Sequence, residues 1–227
     1  MKNVYLLEIP TDAAKNEIFE RKNIGFLPCS VRNKIAKTTD GKTKTERIYA
    51  YSLLCKILKD EGLSCETVEK SLLFDEKGKP YLKDEKIWFS VSHTEKMAAV
   101  AVSRRGKIGI DTEKIGNGKS ERIMRVIARF CKDTDVKYSD AGTEITVFTD
   151  NDGEISEVKL SKTVTPFEND VNFIKWTALE AVLKLHGTGF ESICNVKEIA
   201  KELKTLSAVI SLGDERYAVS VSEEKVL

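Results

Sequence analysis

The sequence has few of the residues from which metal clusters and disulfide frameworks are built. Its 227 residues include only two histidines, and its five cysteines are widely spaced, with no Cys-x-x-Cys pair. An odd number of scattered cysteines predicts free thiols, and the shortage of histidine argues against a zinc site. Free thiols are typical of a reducing compartment, so we expect a cytoplasmic protein.

Long apolar segments and an excess of one charge are also missing. No stretch of about 18 residues is apolar enough to cross a bilayer, and a charge and a proline follow Met1 too soon for a signal peptide. Lysine and arginine number 37 against 36 aspartate and glutamate residues, which gives a net charge of +1. We therefore expect neither a membrane nor a nucleic acid as a partner.

The glycine-rich motifs of common nucleotide-binding folds are absent as well. The sequence contains neither GxxxxGK[ST] nor GxGxxG, so a P-loop or Rossmann site is not expected. What it does contain is 41% hydrophobic and 32% charged residues, a composition typical of globular proteins. A chain of this length buries enough apolar surface to fold without a disulfide or a structural metal.

Hydrophobic periodicity predicts three main helices. Apolar residues recur at helical spacing over 45–59, 120–131 and 171–186. Gly62 and Gly187 follow the first and last of these segments, where a glycine commonly ends a helix. The segment 120–131 also carries basic residues on the side opposite its apolar face.

The remaining pattern predicts strands joined in hairpins. Runs of β-forming residues lie at 87–92, 98–103, 107–110, 143–149, 154–160, 206–212 and 216–222. Because hairpin strands pair in opposite directions, we predict an α+β fold with mostly antiparallel sheets. The flexible segment 116–119 is the best candidate boundary, which divides the chain into residues 1–115 and 116–227.

Two acidic residues end one of the apolar runs. Asp111 and Glu113 are two positions apart, so their side chains face the same side of an extended chain. Hard carboxylate oxygens at this spacing suit Mg²⁺, which binds a few carboxylates together with substrate phosphates. The alternative interpretation is a solvated strand end that binds nothing.

A second charged pair lies within the predicted helix 171–186. Glu180 and Lys184 are four residues apart and share one helix face. Such a pair can bind a metal–phosphate complex, the carboxylate contacting the metal and the ammonium contacting phosphoryl oxygens. The alternative is an ordinary ion pair on the helix surface.

A serine and a histidine end the predicted strand 87–92. Ser92 and His93 could donate hydrogen bonds to a phosphate. A nucleophilic Ser-His pair is the competing hypothesis, but adjacent residues of a strand point to opposite faces, which argues against it. Basic residues also crowd the segment 32–47, which is either a solvated face or the electropositive lip of a site for a polyanion.

Four segments, in this order, resemble the signature series of the surfactin-synthetase-activating (Sfp) type of 4′-phosphopantetheinyl transferase. They are Gly78-Lys79-Pro80-Tyr81, Phe89-Ser90-Val91-Ser92-His93-Thr94, Ile108-Gly109-Ile110-Asp111-Thr112-Glu113 and Trp176-Thr177-Ala178-Leu179-Glu180-Ala181-Val182-Leu183-Lys184. The resemblance implies a Mg²⁺-dependent enzyme that moves phosphopantetheine from coenzyme A to a serine of an apo acyl carrier protein or peptidyl carrier domain. The same resemblance implies a pseudo-dimer of two similar α/β halves, the second of which receives the carrier.

The resemblance also assigns roles to individual residues. Asp111, Glu113 and Glu180 resemble the acidic residues that hold the metal, and Asp111, Glu180 and Lys184 are the expected catalytic residues. The expected coenzyme A contacts are Lys34, Arg47, Lys79, Pro80, Ser92, His93 and Lys184.

Two departures from the family pattern keep other hypotheses open. Leu179 stands where the family commonly has a lysine, whose contact could come from Lys175 instead, and the segment 131–170 shows little resemblance. The first alternative is a catalytically weak homologue that binds coenzyme A or a carrier protein. The second is an unrelated Mg²⁺-dependent phosphohydrolase that uses the same carboxylates.

Overall fold

Helices and strands alternate along the residues that the computed structural model describes, which are 3–83, 86–116, 120–130, 137, 144–187 and 203–224. The α-helices are α1 Ala13–Asn23, α2 Cys29–Ala36, α3 Gly41–Asp60, α4 Cys65–Ser71, α5 Ser120–Phe130 and α6 Val171–His186. The strands are β1 Val4–Glu8, β2 Leu72–Phe74, β3 Pro80–Leu82, β4 Trp88–Thr94, β5 Met97–Ser103, β6 Ile108–Lys114, β7 Glu144–Asn151, β8 Glu154–Lys162, β9 Leu203–Leu212 and β10 Glu215–Glu224. None of the helices in these ranges combines the length and the apolar character needed to cross a membrane.

The strands form two larger sheets and a two-stranded one within the described ranges. The five-stranded sheet has the order β4-β5-β1-β7-β8, the three-stranded sheet the order β6-β10-β9, and β2 pairs with β3. Every pairing is antiparallel except that of β1 with β7. The prediction of an α+β fold with mostly antiparallel sheets is therefore confirmed.

Each of the two larger sheets contains strands from both sides of residue 115. Strand β6 precedes that position but pairs with β10 near the end of the chain, whereas β7 and β8 follow it and extend the sheet built on β1. The division into residues 1–115 and 116–227, like the pseudo-dimer, stays a prediction.

Three apolar cores separate the layers. The first lies between the N-terminal helices and the five-stranded sheet and includes Leu53 and Val100. The second lies between the two larger sheets and includes Ala99 and Ile110, and the third lies between the three-stranded sheet and α5 and α6 and includes Leu183. Alternate residues of β5 enter the first and second cores, which explains why residues 97–102 are apolar without alternation.

The edges of the two larger sheets meet along β4 and β6. The Ser90 hydroxyl accepts a hydrogen bond from the backbone N–H of Ile110 at 3.1 Å, and the Ser92 hydroxyl accepts one from Thr112 at 3.3 Å. These hydroxyls are buried and two residues apart, so both lie on the same face of β4. They satisfy buried donors of an edge strand that would otherwise lack partners.

Helix α6 packs against β6 at a glycine. A Cβ atom added at Gly109 would overlap the carbonyl oxygen of Ala181 and lie 2.7 Å from the backbone nitrogen of Leu185. No side chain fits there unless the helix moves away from the sheet. Gly109 therefore sets the distance between β6, which carries Asp111, and α6, which carries Lys184.

We expect Gly109→Ala to reduce the free energy of unfolding by about 3 kcal/mol, the upper part of the range for an overpacked core. The added methyl group forces α6 away from β6, and urea denaturation measures the loss. Gly41→Ala is the matched control, because position 41 begins α3 and has no atom within 4 Å of an added Cβ. Equal stability of the two variants would contradict the close packing at Gly109.

Candidate functional site

A cavity of about 760 Å³ lies where β4, β6 and α6 meet the helices α2 and α3. Its lining includes side chains from α2, α3, the segment 77–80, β4, β6, α5 and α6. All ten residues to which the resemblance assigns a metal, catalytic or coenzyme A role line it, namely Lys34, Arg47, Lys79, Pro80, Ser92, His93, Asp111, Glu113, Glu180 and Lys184.

The cavity holds an ion pair between a partly exposed lysine and a buried aspartate. The Lys184 ammonium is 2.7 Å from Oδ1 of Asp111, a carboxylate that is only 6% exposed. The Ser92 hydroxyl donates to the same Oδ1 at 2.9 Å and accepts from Lys184 at 2.9 Å. The lysine and the hydroxyl thus compensate a negative charge that would be costly to bury alone.

The two other predicted metal ligands line the same cavity. Glu113 is buried, and its Oε1 accepts a hydrogen bond from Thr94 at 3.3 Å. Glu180 is half-buried on the face of α6 that also carries Lys184. Three carboxylates facing one cavity are a donor set of the kind that suits Mg²⁺. Within the described ranges no three His, Cys, Asp or Glu residues are already grouped closely enough to hold a metal ion.

His93 points away from Ser92. Its Nδ1 lies 2.8 Å from Oε2 of Glu46, a buried residue of α3, whereas the Ser92 hydroxyl bonds to Asp111 and Lys184. The nucleophilic Ser-His pair considered from the sequence is therefore not formed. Glu46 itself was missed by the sequence analysis, since its partner is 47 positions away and no local pattern joins them.

Two cations from the basic segment 32–47 reach the cavity. The Lys34 ammonium donates to the carbonyl of Gly78 at 2.5 Å and lies 4.1 Å from the centre of the Phe74 ring. Arg47 donates to the Thr38 hydroxyl at 2.5 Å. Burial, followed by repulsion from the Arg47 guanidinium, lowers the pKa of Lys34 below its usual value, while Asp75 opposes the shift.

Lys79 ties the loop before β3 to the end of α6. Its ammonium donates to the carbonyl of Leu185 at 2.8 Å, in the last turn of the helix, where a cation is favourable. Burial is the main cause that lowers the pKa of Lys79, and the Asp75 carboxylate partly offsets it. Pro80 follows in β3 and also lines the cavity. The loop is thus anchored at both Lys34 and α6.

The unusual leucine of the α6 motif does not disturb the cavity. Leu179 is 3% exposed and belongs to the third core, together with residues of α5. Lys175, the possible substitute for the family lysine, is not among the described residues that line the cavity. Tyr51 and Trp176 do line it, although no pattern in the sequence indicated a role in the site for either residue.

No family model matches the sequence, and no curated protein matches it either. The chemistry of the cavity is therefore the basis on which its function can be inferred. That chemistry combines three carboxylates, a histidine and several cations around a space of a size common for small-molecule and cofactor sites.

We expect Lys184→Met to lower the free energy of unfolding by about 2 kcal/mol, less than the roughly 3–5 kcal/mol of a fully buried pair because Lys184 is partly exposed. The loss arises because the Asp111 carboxylate keeps its charge without its cation. Adding Asp111→Asn should recover most of the stability in chemical denaturation. Lys56→Met, which breaks the helix-surface pair with Asp60, is the control and should cost less than about 1 kcal/mol.

Proposed function

We propose that this protein is a Mg²⁺-dependent 4′-phosphopantetheinyl transferase that moves phosphopantetheine from coenzyme A to a serine of an apo acyl carrier protein or peptidyl carrier domain. The observation that carries the proposal is the convergence on one cavity of ten residues that were chosen from the sequence and lie between positions 34 and 184. Unrelated surface charges have no reason to meet in this way.

The charge distribution of the cavity supports coenzyme A as the co-substrate. Coenzyme A carries a 3′-phosphate and a pyrophosphate, and the cavity offers five cationic side chains, Lys34, Arg47, Lys77, Lys79 and Lys184. Several lysines and an arginine around one cavity attract a polyanion and can bond its phosphoryl oxygens. His93 adds a ring nitrogen on the β4 side.

Each catalytic residue has a role that follows from its chemistry. Mg²⁺, held by Asp111, Glu113 and Glu180, would supply charge neutralisation at the pyrophosphate. The carrier's serine oxygen bonds to the phosphorus of the phosphopantetheine arm, and the bond from that phosphorus to 3′,5′-ADP breaks. Glu180 accepts the serine proton, and Lys184 stabilises the charge on the departing 3′,5′-ADP. No nucleophile on this chain is required.

Helix α5 supports the approach of an acidic carrier protein. Its buried side chains Ile123 and Ile127 pack in the third core, and Ile123 also lines the cavity. Arg125 and Arg129 are exposed on the same helix. Basic side chains beside a cleft raise the encounter rate with an acidic partner. Together with the balanced net charge, this favours a carrier protein of the cytoplasm over a membrane or nucleic-acid partner.

We expect the protein, incubated with coenzyme A, Mg²⁺ and a panel of apo-carrier proteins, to add a phosphopantetheine group that mass spectrometry detects. Asp111→Asn and Glu113→Gln should abolish the transfer, since losing a metal ligand costs several kcal/mol of transition-state stabilisation. Asp60→Asn, on the exposed end of α3, is the matched control. Hydrolysis of phosphoesters without a carrier protein would favour the phosphohydrolase. Binding of coenzyme A or of a carrier protein without transfer would favour the catalytically weak homologue.

A second prediction uses the lowered pKa of Lys34. A bound phosphate stabilises the charged ammonium of Lys34, so binding favours the protonated form. The pKa of Lys34 in the free protein is lowered from 10.5. The affinity for coenzyme A should therefore fall as the pH rises through this lowered pKa. Lys34→Met should bind about tenfold more weakly at neutral pH and lose much of this dependence, as measured by calorimetry. Lys37→Met, exposed at the end of α2, should behave like the wild type.

A further inference from the structure

A carboxylate is buried behind the cavity, at Glu46 in the second turn of α3. Glu46 is 8% exposed, and its Oε2 lies 2.8 Å from Nδ1 of His93. Burying a carboxylate without a hydrogen-bond partner costs several kcal/mol. The contact with His93 offsets this cost for Glu46. The proposed transfer reaction gives no role to Glu46.

The contact decides which ring atom of His93 meets a ligand. A carboxylate only accepts hydrogen bonds when it is ionised, so the proton between the two groups lies on Nδ1. His93 lines the cavity, and with Nδ1 engaged by Glu46 the nitrogen left for a ligand is Nε2. A carboxylate at one ring nitrogen fixes the tautomer and the ring orientation, and it also stabilises the imidazolium that forms when the other nitrogen is protonated.

We propose that Glu46 is the positioning residue of His93, holding Nδ1 so that Nε2 is offered to an anionic phosphate group in the cavity. The inference rests on the proposed function only for the identity of the ligand, coenzyme A. Glu46 acts through the histidine and does not itself contact the ligand.

Other charged side chains line the same cavity and are chemically unaltered in a variant at position 46. They are Arg47 on α3, Asp111 and Glu113 on β6, Glu180 and Lys184 on α6, Lys34 on α2, and Lys77 and Lys79 in the loop before β3. A comparison of variants at position 46 therefore isolates the contribution of one carboxylate against a constant background. Because the sequence has only two histidines, His186 serves as an internal reference in spectra of the rings.

The first arm of the test is nitrogen-15 NMR of the free protein, at a pH where both imidazoles are neutral. The wild type should show His93 protonated at Nδ1, and Glu46→Gln should keep that tautomer because the amide oxygen still accepts the bond. Glu46→Ala should shift His93 towards the Nε2–H tautomer and leave His186 unchanged. The same His93 tautomer in the wild type and in Glu46→Ala would overturn the proposal, whatever ligand the cavity binds.

The second arm measures binding of coenzyme A and dephospho-coenzyme A by calorimetry. Glu46→Ala should weaken coenzyme A binding about tenfold, Glu46→Gln less, and neither should change dephospho-coenzyme A, which lacks the 3′-phosphate. In a His93→Ala background, Glu46→Ala should have no further effect. An equal loss in that background would show that Glu46 acts on folding and overturn the proposal.

Glu20→Ala is the control for this arm, since Glu20 also holds α3, by accepting a hydrogen bond from the Thr45 hydroxyl. It should leave coenzyme A binding unchanged, and an equal loss in this variant would also overturn the role of Glu46. Failure of the wild type to bind coenzyme A would reject the proposed function alone, since the tautomer of His93 still decides the role of Glu46.

Discussion

The rest of the structure depends on how the edges of the two larger sheets are joined. Side-chain hydroxyls connect β4 to β6, and no β-ladder forms between these two strands. Ser90 and Ser92 on β4 accept hydrogen bonds from the backbone of β6, and the cavity lies along this junction. Ser92 also bonds to Asp111 and Lys184. The Ser92 hydroxyl therefore takes part both in the contact between the two sheets and in the ion pair of the site. We expect a rearrangement at Asp111 to alter the packing of the two sheets.

Much of the fold could be predicted because its main elements carry strong local signals. The helix expected at 171–186 is α6, and Gly187 ends it in the left-handed conformation. The strands expected at 143–149 and 154–160 correspond to β7 and β8. The short helices α2 and α4 and the pairing of β1 with β7 were not predicted, since one or two turns of helix carry little periodicity and a pairing between distant strands leaves no local pattern.

The site was predictable where its chemistry follows from spacing along the chain. The two-residue period of a strand placed Asp111 and Glu113 on one side, and helical spacing placed Glu180 and Lys184 on one face. All four residues line the cavity. The contacts of Glu46 with His93 and of Lys79 with the end of α6 were not predictable, because each joins residues from separate elements. The sequence indicated Gly109 only as part of a motif. Its packing role was not predictable, because it depends on the contact between β6 and α6.

The position of β1 has a consequence for how the chain reaches its folded state. Tyr5 pairs with Val100 on one side and with Thr146 on the other, so the middle strand of the larger sheet comes from the first residues, and one of its neighbours lies more than half the chain away. Contacts of such long range are slow to form, because the loop between them must close first. During synthesis β1 can pair with β5 well before β7 emerges, and until then its other edge stays open to wrong partners.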